Sequence, residues 1–351
     1  MTLRETLSQI RPLDRGIETA ARERLDSLTK PQGSLGRLEE LACRIAVIQR
    51  KVPPQLGRKL LFVFAADNGI TQEGVSAYPK EVTAQMTYNL LRGGAAINVM
   101  ARQHSVDTEV VDVGVDCQFP VLEGLRDCKV RRGTANFARG PAMTRAEALQ
   151  SVELGIQLTR EAAAKDLFIL GAGDMGIGNT SSATAILCAL LGIPPAAVTG
   201  RGTGIDDATL AKKTSVIEQG LQLNQPDTND PLDVLAKVGG LEIGAMTGAI
   251  LAAAAWRIPM ALDGFIAGAA ALLAQRFSPH VRDVLFASHL SAEPGHRMML
   301  EELTLAPVLD LGMRLGEGTG ACLLMGLLET AVRVMGEMAT FASAGVTGRF
   351  P

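Results

Sequence analysis

Apolar residues fall along this chain in short continuous runs that end in glycine or an acidic residue. Residues 60–65 run into Ala66-Asp67-Asn68-Gly69, residues 109–113 into Gly114, and residues 167–170 into Gly171-Ala172-Gly173-Asp174. Runs of this length without polar alternation predict strands buried on both faces. Three weaker runs, at 197–199, 259–263 and 284–288, repeat the plan, each followed by polar or glycine-rich sequence and then a helical pattern. Six strands with helical crossovers predict an α/β fold built on a parallel sheet with helices on both faces. In such sheets ligands bind beyond the carboxyl ends of the strands, where the polar loop residues collect.

The segment 2–52 and the segment after Glu317 carry helical patterns without strand signals. They are expected to pack together as a small helical domain of residues 1–55 and 325–351, beside a large α/β domain at 56–324. The apolar stretch 243–255 stops at Trp256-Arg257, too short to span a bilayer, and predicts a buried helix. The proline-containing stretch 225–231 reads as a turn.

Composition narrows the partners. Apolar residues are 47% and charged residues 20% of the 351, as in an ordinary globular protein. A formal charge of -3 without a basic patch argues against a nucleic-acid partner. The five cysteines are scattered with no CxxC pair, so neither a disulfide framework nor a zinc site is suggested. The charged segment 1–15 lacks the apolar core of a signal peptide. A cytoplasmic protein with no membrane partner is expected.

Glycine, 37 residues, exceeds the usual share of about 7% and concentrates after the strands, where backbone can approach a ligand closely. The run Gly173-Asp174-Met175-Gly176-Ile177-Gly178-Asn179-Thr180 leads into an apolar helix at 184–191, whose free N–H groups can hold a phosphate or be capped internally. The spacing lacks the dinucleotide fingerprint GxGxxG. A second loop, Gly200-Arg201-Gly202-Thr203-Gly204, precedes Lys212 and Lys213 and reads as further anion donors or as a tight turn before solvated lysines. His289 and His296, seven apart across Pro294, suit hydrogen bonding to substrate or to the protein better than metal binding, and no GxSxG elbow supports a serine hydrolase. Glu317, between Gly316 and Gly318 and beside Leu315, is a candidate general base whose pKa desolvation would raise; the alternative is an acid satisfied by amides at a helix start.

Seven segments in order over about 290 residues carry a resemblance. They are Lys30-Pro31-Gln32-Gly33-Ser34-Leu35-Gly36-Arg37-Leu38-Glu39; Ala66-Asp67-Asn68-Gly69 with Glu73-Gly74-Val75-Ser76-Ala77-Tyr78-Pro79; and Gly93-Gly94-Ala95-Ala96-Ile97-Asn98-Val99. Gly176-Ile177-Gly178-Asn179-Thr180, Leu262-Asp263-Gly264-Phe265, Ser288-His289-Leu290-Ser291-Ala292-Glu293 and Arg314-Leu315-Gly316-Glu317-Gly318-Thr319-Gly320 complete them. The chain thereby resembles the nicotinate-nucleotide:dimethylbenzimidazole phosphoribosyltransferases, which serve nucleotide-loop assembly in cobalamin biosynthesis.

The resemblance implies a Rossmann-like parallel six-stranded sheet with a small helical domain from both termini, working as a homodimer. It implies phosphoribosyl transfer from nicotinate mononucleotide to dimethylbenzimidazole, giving α-ribazole phosphate and nicotinate, with no metal or other cofactor because the leaving group is already a pyridinium. It makes Glu317 the base that deprotonates the attacking benzimidazole, and Asp174 a carboxylate stabilising the oxocarbenium-like ribose, where the family commonly has glutamate. It places the 5′-phosphate and ribose against Gly176, Asn179, Thr180, Gly202, Lys213, Ser291 and Arg314, and the acceptor base against Tyr78, Met86, Met175 and Leu315. Asn68 stands where the family often has histidine. Three other readings stay open: transfer to phenol, p-cresol or adenine, a catalytically weak nucleotide-binding homologue, and a nicotinamide-dependent oxidoreductase.

Overall fold

The structure is a computed structural model that describes residues 1–347; residues 348–351 of the expected helical domain lie outside the described residues. Six strands, β1 (Arg58–Ala66), β2 (Asp107–Gly114), β3 (Leu125–Asp127), β4 (Leu167–Met175), β5 (Met260–Leu262) and β6 (Leu285–Ala287), form one sheet in the order β3-β2-β1-β4-β5-β6. Every neighbouring pair is parallel. The chain builds outward from β1 to β3 and then crosses back to lay β4 against β1. Connections above the two strands therefore leave in opposite directions and open a crevice at the carboxyl ends of β1 and β4. Both strands are buried at every residue except the first, which is why they read as continuous apolar runs.

Two strand expectations need correction. Residues 197–199 are not a strand: Pro195–Val198 is a short helix with Pro195 in its first turn, and the Thr199 amide closes on the Pro195 carbonyl at 2.9 Å. Proline fixes φ near the helical value and has no N–H for a strand ladder, so the pair Pro194-Pro195 outweighs the apolar run. The sixth strand is β3, three half-exposed or exposed residues at the sheet edge with no apolar run to betray them.

Helices cover both faces. On one, the helices Arg145–Ala163 and Leu241–Trp256 pack so closely that a Cβ on Gly155 would lie 1.9 Å from the Ala245 carbonyl oxygen. The other holds Thr319–Glu337, whose Met325 would be met at 2.6 Å by a Cβ on Gly171 of β4. Thr319–Glu337 is long and apolar enough to cross a membrane by length and composition, yet more than half of it is buried within the protein. It also receives the chain's third helix, Arg37–Gln49, and the Arg24 guanidinium donates to the carbonyls of Met335 (2.9 Å) and Met338 (3.1 Å). The first helix, Leu3–Gln9, lies instead on Arg145–Ala163 and Leu241–Trp256, with the Leu3 amide donating to Glu153 at 2.9 Å.

Candidate active site

A cleft of about 730 Å³ opens at the carboxyl end of the sheet, over the β1/β4 switch. Its walls come from the end of β4, the loops after β5 and β6, the loop 312–317 and the helix Glu81–Leu91. All thirteen residues expected at the site line it: Glu317 and Asp174; Gly176, Asn179, Thr180, Gly202, Lys213, Ser291 and Arg314; Tyr78, Met86, Met175 and Leu315. Val75, Val82, Phe265 and Ile266 widen the apolar wall beyond the residues expected there, with His289, Asp263 and Glu293 among its polar lining.

At one end, three successive residues adopt left-handed backbone, Gly316 (φ 84), Glu317 (φ 61) and Gly318 (φ 85). For a glutamate this conformation costs about 1–2 kcal/mol, so the surroundings must hold it. Asp263, at the end of β5, does so. Its carboxylate accepts from the amides of Gly318 (3.0 Å), Gly320 (2.7 Å) and Ala321 (3.2 Å), capping the helix Thr319–Glu337 from across the sheet. Gly173 of β4 completes the fit, since a Cβ there would lie 2.2 Å from the Gly318 nitrogen and 2.3 Å from the Glu317 carbonyl carbon. With the helix-start amides committed to Asp263, Glu317 is not the capping acid. The residue is 4% exposed and its Oε2 has no hydrogen-bond partner among the described residues. Burial pushes its pKa up, opposed only by a hydrogen bond from the Ile97 amide.

Asp174 is buried beside this loop, and Asn179 Nδ2 donates to its Oδ2 at 2.7 Å. Burial, and then the charges of Asp263, Glu242 and Glu317, hold its carboxyl well above the usual range. Asp263 is pushed up to about 6 by burial despite its three amides. Glu242, wholly buried at the start of Leu241–Trp256, is raised to about 7 by burial; Asn68 Nδ2 donates to its Oε1 at 2.9 Å while its Oε2 is unpartnered. Asn68 in turn accepts from Ser182 Oγ at 3.0 Å, so the residue standing where histidine was expected ties two helix starts together.

The other end is built for an anion. The helix Asn179–Leu191 begins five residues before the expected 184–191, with Gly178 (φ 93) as its cap, so Asn179 and Thr180 belong to its first turn. Lys213, 1% exposed, donates from Nζ to Thr180 Oγ1 (2.8 Å) and the Gly200 carbonyl (3.1 Å). Burial lowers its pKa to about 8 against the pull of Glu293. The Gly202 amide donates to Glu293 Oε1 at 2.9 Å, which gives that buried carboxylate a donor. Arg314 reaches the Gly202 carbonyl at 3.3 Å, fixing the same loop from the other side. His296 is buried and its Nδ1 accepts the Ser291 amide at 2.9 Å, a structural use of the ring. Among the described residues no group of three or more His, Cys, Asp or Glu is placed to hold a metal ion.

Of the residues that sequence reasoning did not single out as site residues, Asp263 had a signal, an acid at the carboxyl end of a strand, and so did Glu242, a lone charge entering an apolar helix. Glu293 was visible only as one polar residue among several.

Comparison with known proteins adds the family. A phosphoribosyltransferase family model matches residues 10–346. The nicotinate-nucleotide–dimethylbenzimidazole phosphoribosyltransferase of Geobacter sulfurreducens is 57% identical over 344 residues, 98% of each chain. That of Desulforamulus reducens is 56% identical over 348 residues, covering 98% of this chain and 99% of its own. The crystal structure of the enzyme of that name from Thermus thermophilus superposes with a TM-score of 0.90 at 49% identity, covering 96% of this chain and all of that one. With sequence identity and fold in agreement along nearly the whole length, this chain belongs to the nicotinate-nucleotide–dimethylbenzimidazole phosphoribosyltransferase family.

Proposed function

We propose that the protein transfers the 5-phosphoribosyl group of nicotinate mononucleotide to 5,6-dimethylbenzimidazole, giving α-ribazole 5′-phosphate and nicotinate for the nucleotide loop of cobalamin. The observation that carries this reading is the pairing, in one cleft, of a buried carboxylate with a free oxygen, Glu317, and a buried ammonium at a helix start, Lys213 beside Thr180. The ammonium, the first turn at Asn179 and the Ser291 hydroxyl suit a phosphate. Arg314 and Gly202 shape the loop around it, and Tyr78, Met86, Met175 and Leu315 offer apolar surface to a flat bicyclic base.

In the reaction the bond from the ribose anomeric carbon to the pyridinium nitrogen breaks, and its electron pair neutralises the departing nicotinate. An unprotonated ring nitrogen of the base bonds to that carbon from the opposite face, while the proton on its other nitrogen passes to Glu317 and then to water. One proton acceptor serves, and no general acid is needed. Asp174, at the end of β4 beside Glu317, is assigned the developing positive charge on the ribose.

The same reading includes a cytosolic homodimer and a helical domain of residues 1–55 and 325–351. The packing of Arg37–Gln49 on Thr319–Glu337 supports that grouping for this pair of helices, whereas Leu3–Gln9 packs on the large domain. Incubating the purified protein with nicotinate mononucleotide and dimethylbenzimidazole, phenol, p-cresol or adenine tests the activity. Nicotinate release with dimethylbenzimidazole is the expected result; release only with another base changes the acceptor, and release with none rejects the activity.

A further inference from the structure

His289 lines the cleft, yet the reaction as written gives it no part. Its protonation is legible from its neighbours. Ser288 Oγ donates to the Asp263 carbonyl at 2.9 Å, which uses the only hydrogen the hydroxyl has. The contact between Ser288 Oγ and His289 Nδ1, 3.0 Å, must then run from the ring to the hydroxyl. Nδ1 carries the proton, and Nε2 of the neutral ring presents a bare lone pair. Burial favours the neutral form.

The ring is also held still. A Cβ on Gly320 would sit 2.0 Å from Nδ1, and a Cβ on Gly264 3.4 Å from Nε2, so the imidazole lies between two glycines with no room for a side chain at the first. Among the described residues Nε2 has no protein partner. His289 lines the same cleft as Ser291, two residues on, and as Asp263, which both accepts from Ser288 and caps the helix that follows Glu317.

We propose that His289 is a substrate-binding residue whose Nε2 accepts a hydrogen bond from a hydroxyl of the ribose, an inference that rests on the phosphoribosyl reading above. The complementary group must be a donor. A phosphate dianion offers only acceptors, and the acceptor base commits its one ring proton to Glu317. The ribose hydroxyls are the remaining donors, and the ribose carries both the phosphate and the reacting carbon, so it must occupy the cleft that His289 lines together with Lys213 and Glu317. The arrangement serves selectivity as well as affinity: a fixed acceptor left unpaired by a deoxyribose substrate discriminates against it.

Calorimetric titrations without acceptor base, using nicotinate mononucleotide and its 2′-deoxy and 3′-deoxy analogues, test this on wild type, His289→Ala and His289→Gln. Wild type is expected to bind one analogue roughly 3- to 10-fold more weakly than the parent. His289→Ala should weaken the parent by a similar factor and show no further loss with that analogue, while the Gln variant, which keeps an acceptor, should retain part of the discrimination. Nitrogen NMR of the wild-type histidines should show one neutral ring protonated at Nδ1 and assigned to His289 by its absence in the Gln variant. Undiminished discrimination in both variants, or an Nε2-protonated ring, overturns the proposal. Should the Ala variant fail to fold, the Gln variant and the NMR decide. A wild-type protein that neither binds the mononucleotide nor releases nicotinate would instead defeat the underlying activity.

Discussion

Replacing Glu317 by glutamine removes the proton acceptor and leaves its shape. The structure limits what else can change, because the amide has the same length and the left-handed loop is held by Asp263 and Gly173 rather than by the Glu317 side chain. The anion end, with Lys213 on Thr180, is untouched. General-base catalysis contributes about 10²–10⁴ in rate. The variant should therefore lose at least about 10² in kcat, or ~2.7 kcal/mol of barrier, while its dissociation constant for nicotinate mononucleotide stays within roughly twofold. Burial holds the Glu317 carboxyl above its ordinary 4.5. The base works when ionised, so the rate should fall as pH drops through that raised value, and this acid limb should vanish in the variant. A carboxyl raised on folding favours the folded state below its ordinary pKa and loses that favour as pH rises through the folded value. Glutamine escapes the loss, and the variant should melt no lower than wild type at neutral pH. Nicotinate release at saturating substrates, calorimetry and thermal melts read the three quantities. A kcat within about tenfold of wild type, or a loss of nucleotide binding in step with kcat, would refute the assignment.

Gly173→Ala puts a Cβ 2.2 Å from the Gly318 nitrogen, so the backbone bearing Glu317 must move; kcat should fall roughly tenfold or more with nucleotide binding largely kept, as steady-state kinetics and calorimetry would show. Lys213→Met removes a charge-assisted donor and should raise the KM for the mononucleotide about 10- to 100-fold. In wild type, affinity for the mononucleotide should decline as pH passes about 8, where the lysine loses its charge, and the variant should lack that decline. Glu242 titrates at about 7 against an ordinary 4.5, so its ionisation costs folding on the order of 3 kcal/mol once pH exceeds both values. Glu242→Gln should flatten the fall in melting temperature with rising pH across that window; an unchanged slope would show that burial does not raise the Glu242 carboxyl.

Much of the molecule was legible before any contact was known. β1 and β4 were readable because strands buried on both faces admit only apolar residues, and the carboxyl ends of such strands had to carry the ligand. Glu317 stood out because glycines on both sides of an acid leave its carboxylate accessible, and the folded chain places it in the wall of the cleft. Local proline chemistry at Pro194-Pro195 was available too, and an apolar run was given too much weight against it. β3 was not legible, since an edge strand of Leu125-Arg126-Asp127 has no pattern of its own and exists only because β2 offers a ladder.

What the tertiary structure alone decided is which polar groups satisfy one another. Asp263 meets Gly318 across 55 residues, Glu293 takes the Gly202 amide across 91, and Asn68 bonds Glu242 across 174. The first freed Glu317 from capping its helix and the second satisfies the buried Glu293 carboxylate, while the Ser288 hydroxyl on the Asp263 carbonyl, 25 residues away, fixed the His289 tautomer. Sequence patterns report which residues are buried, because burial selects for side-chain type. They do not report the partner of a buried polar group, because any donor serves any acceptor and only the folded chain brings a particular two together.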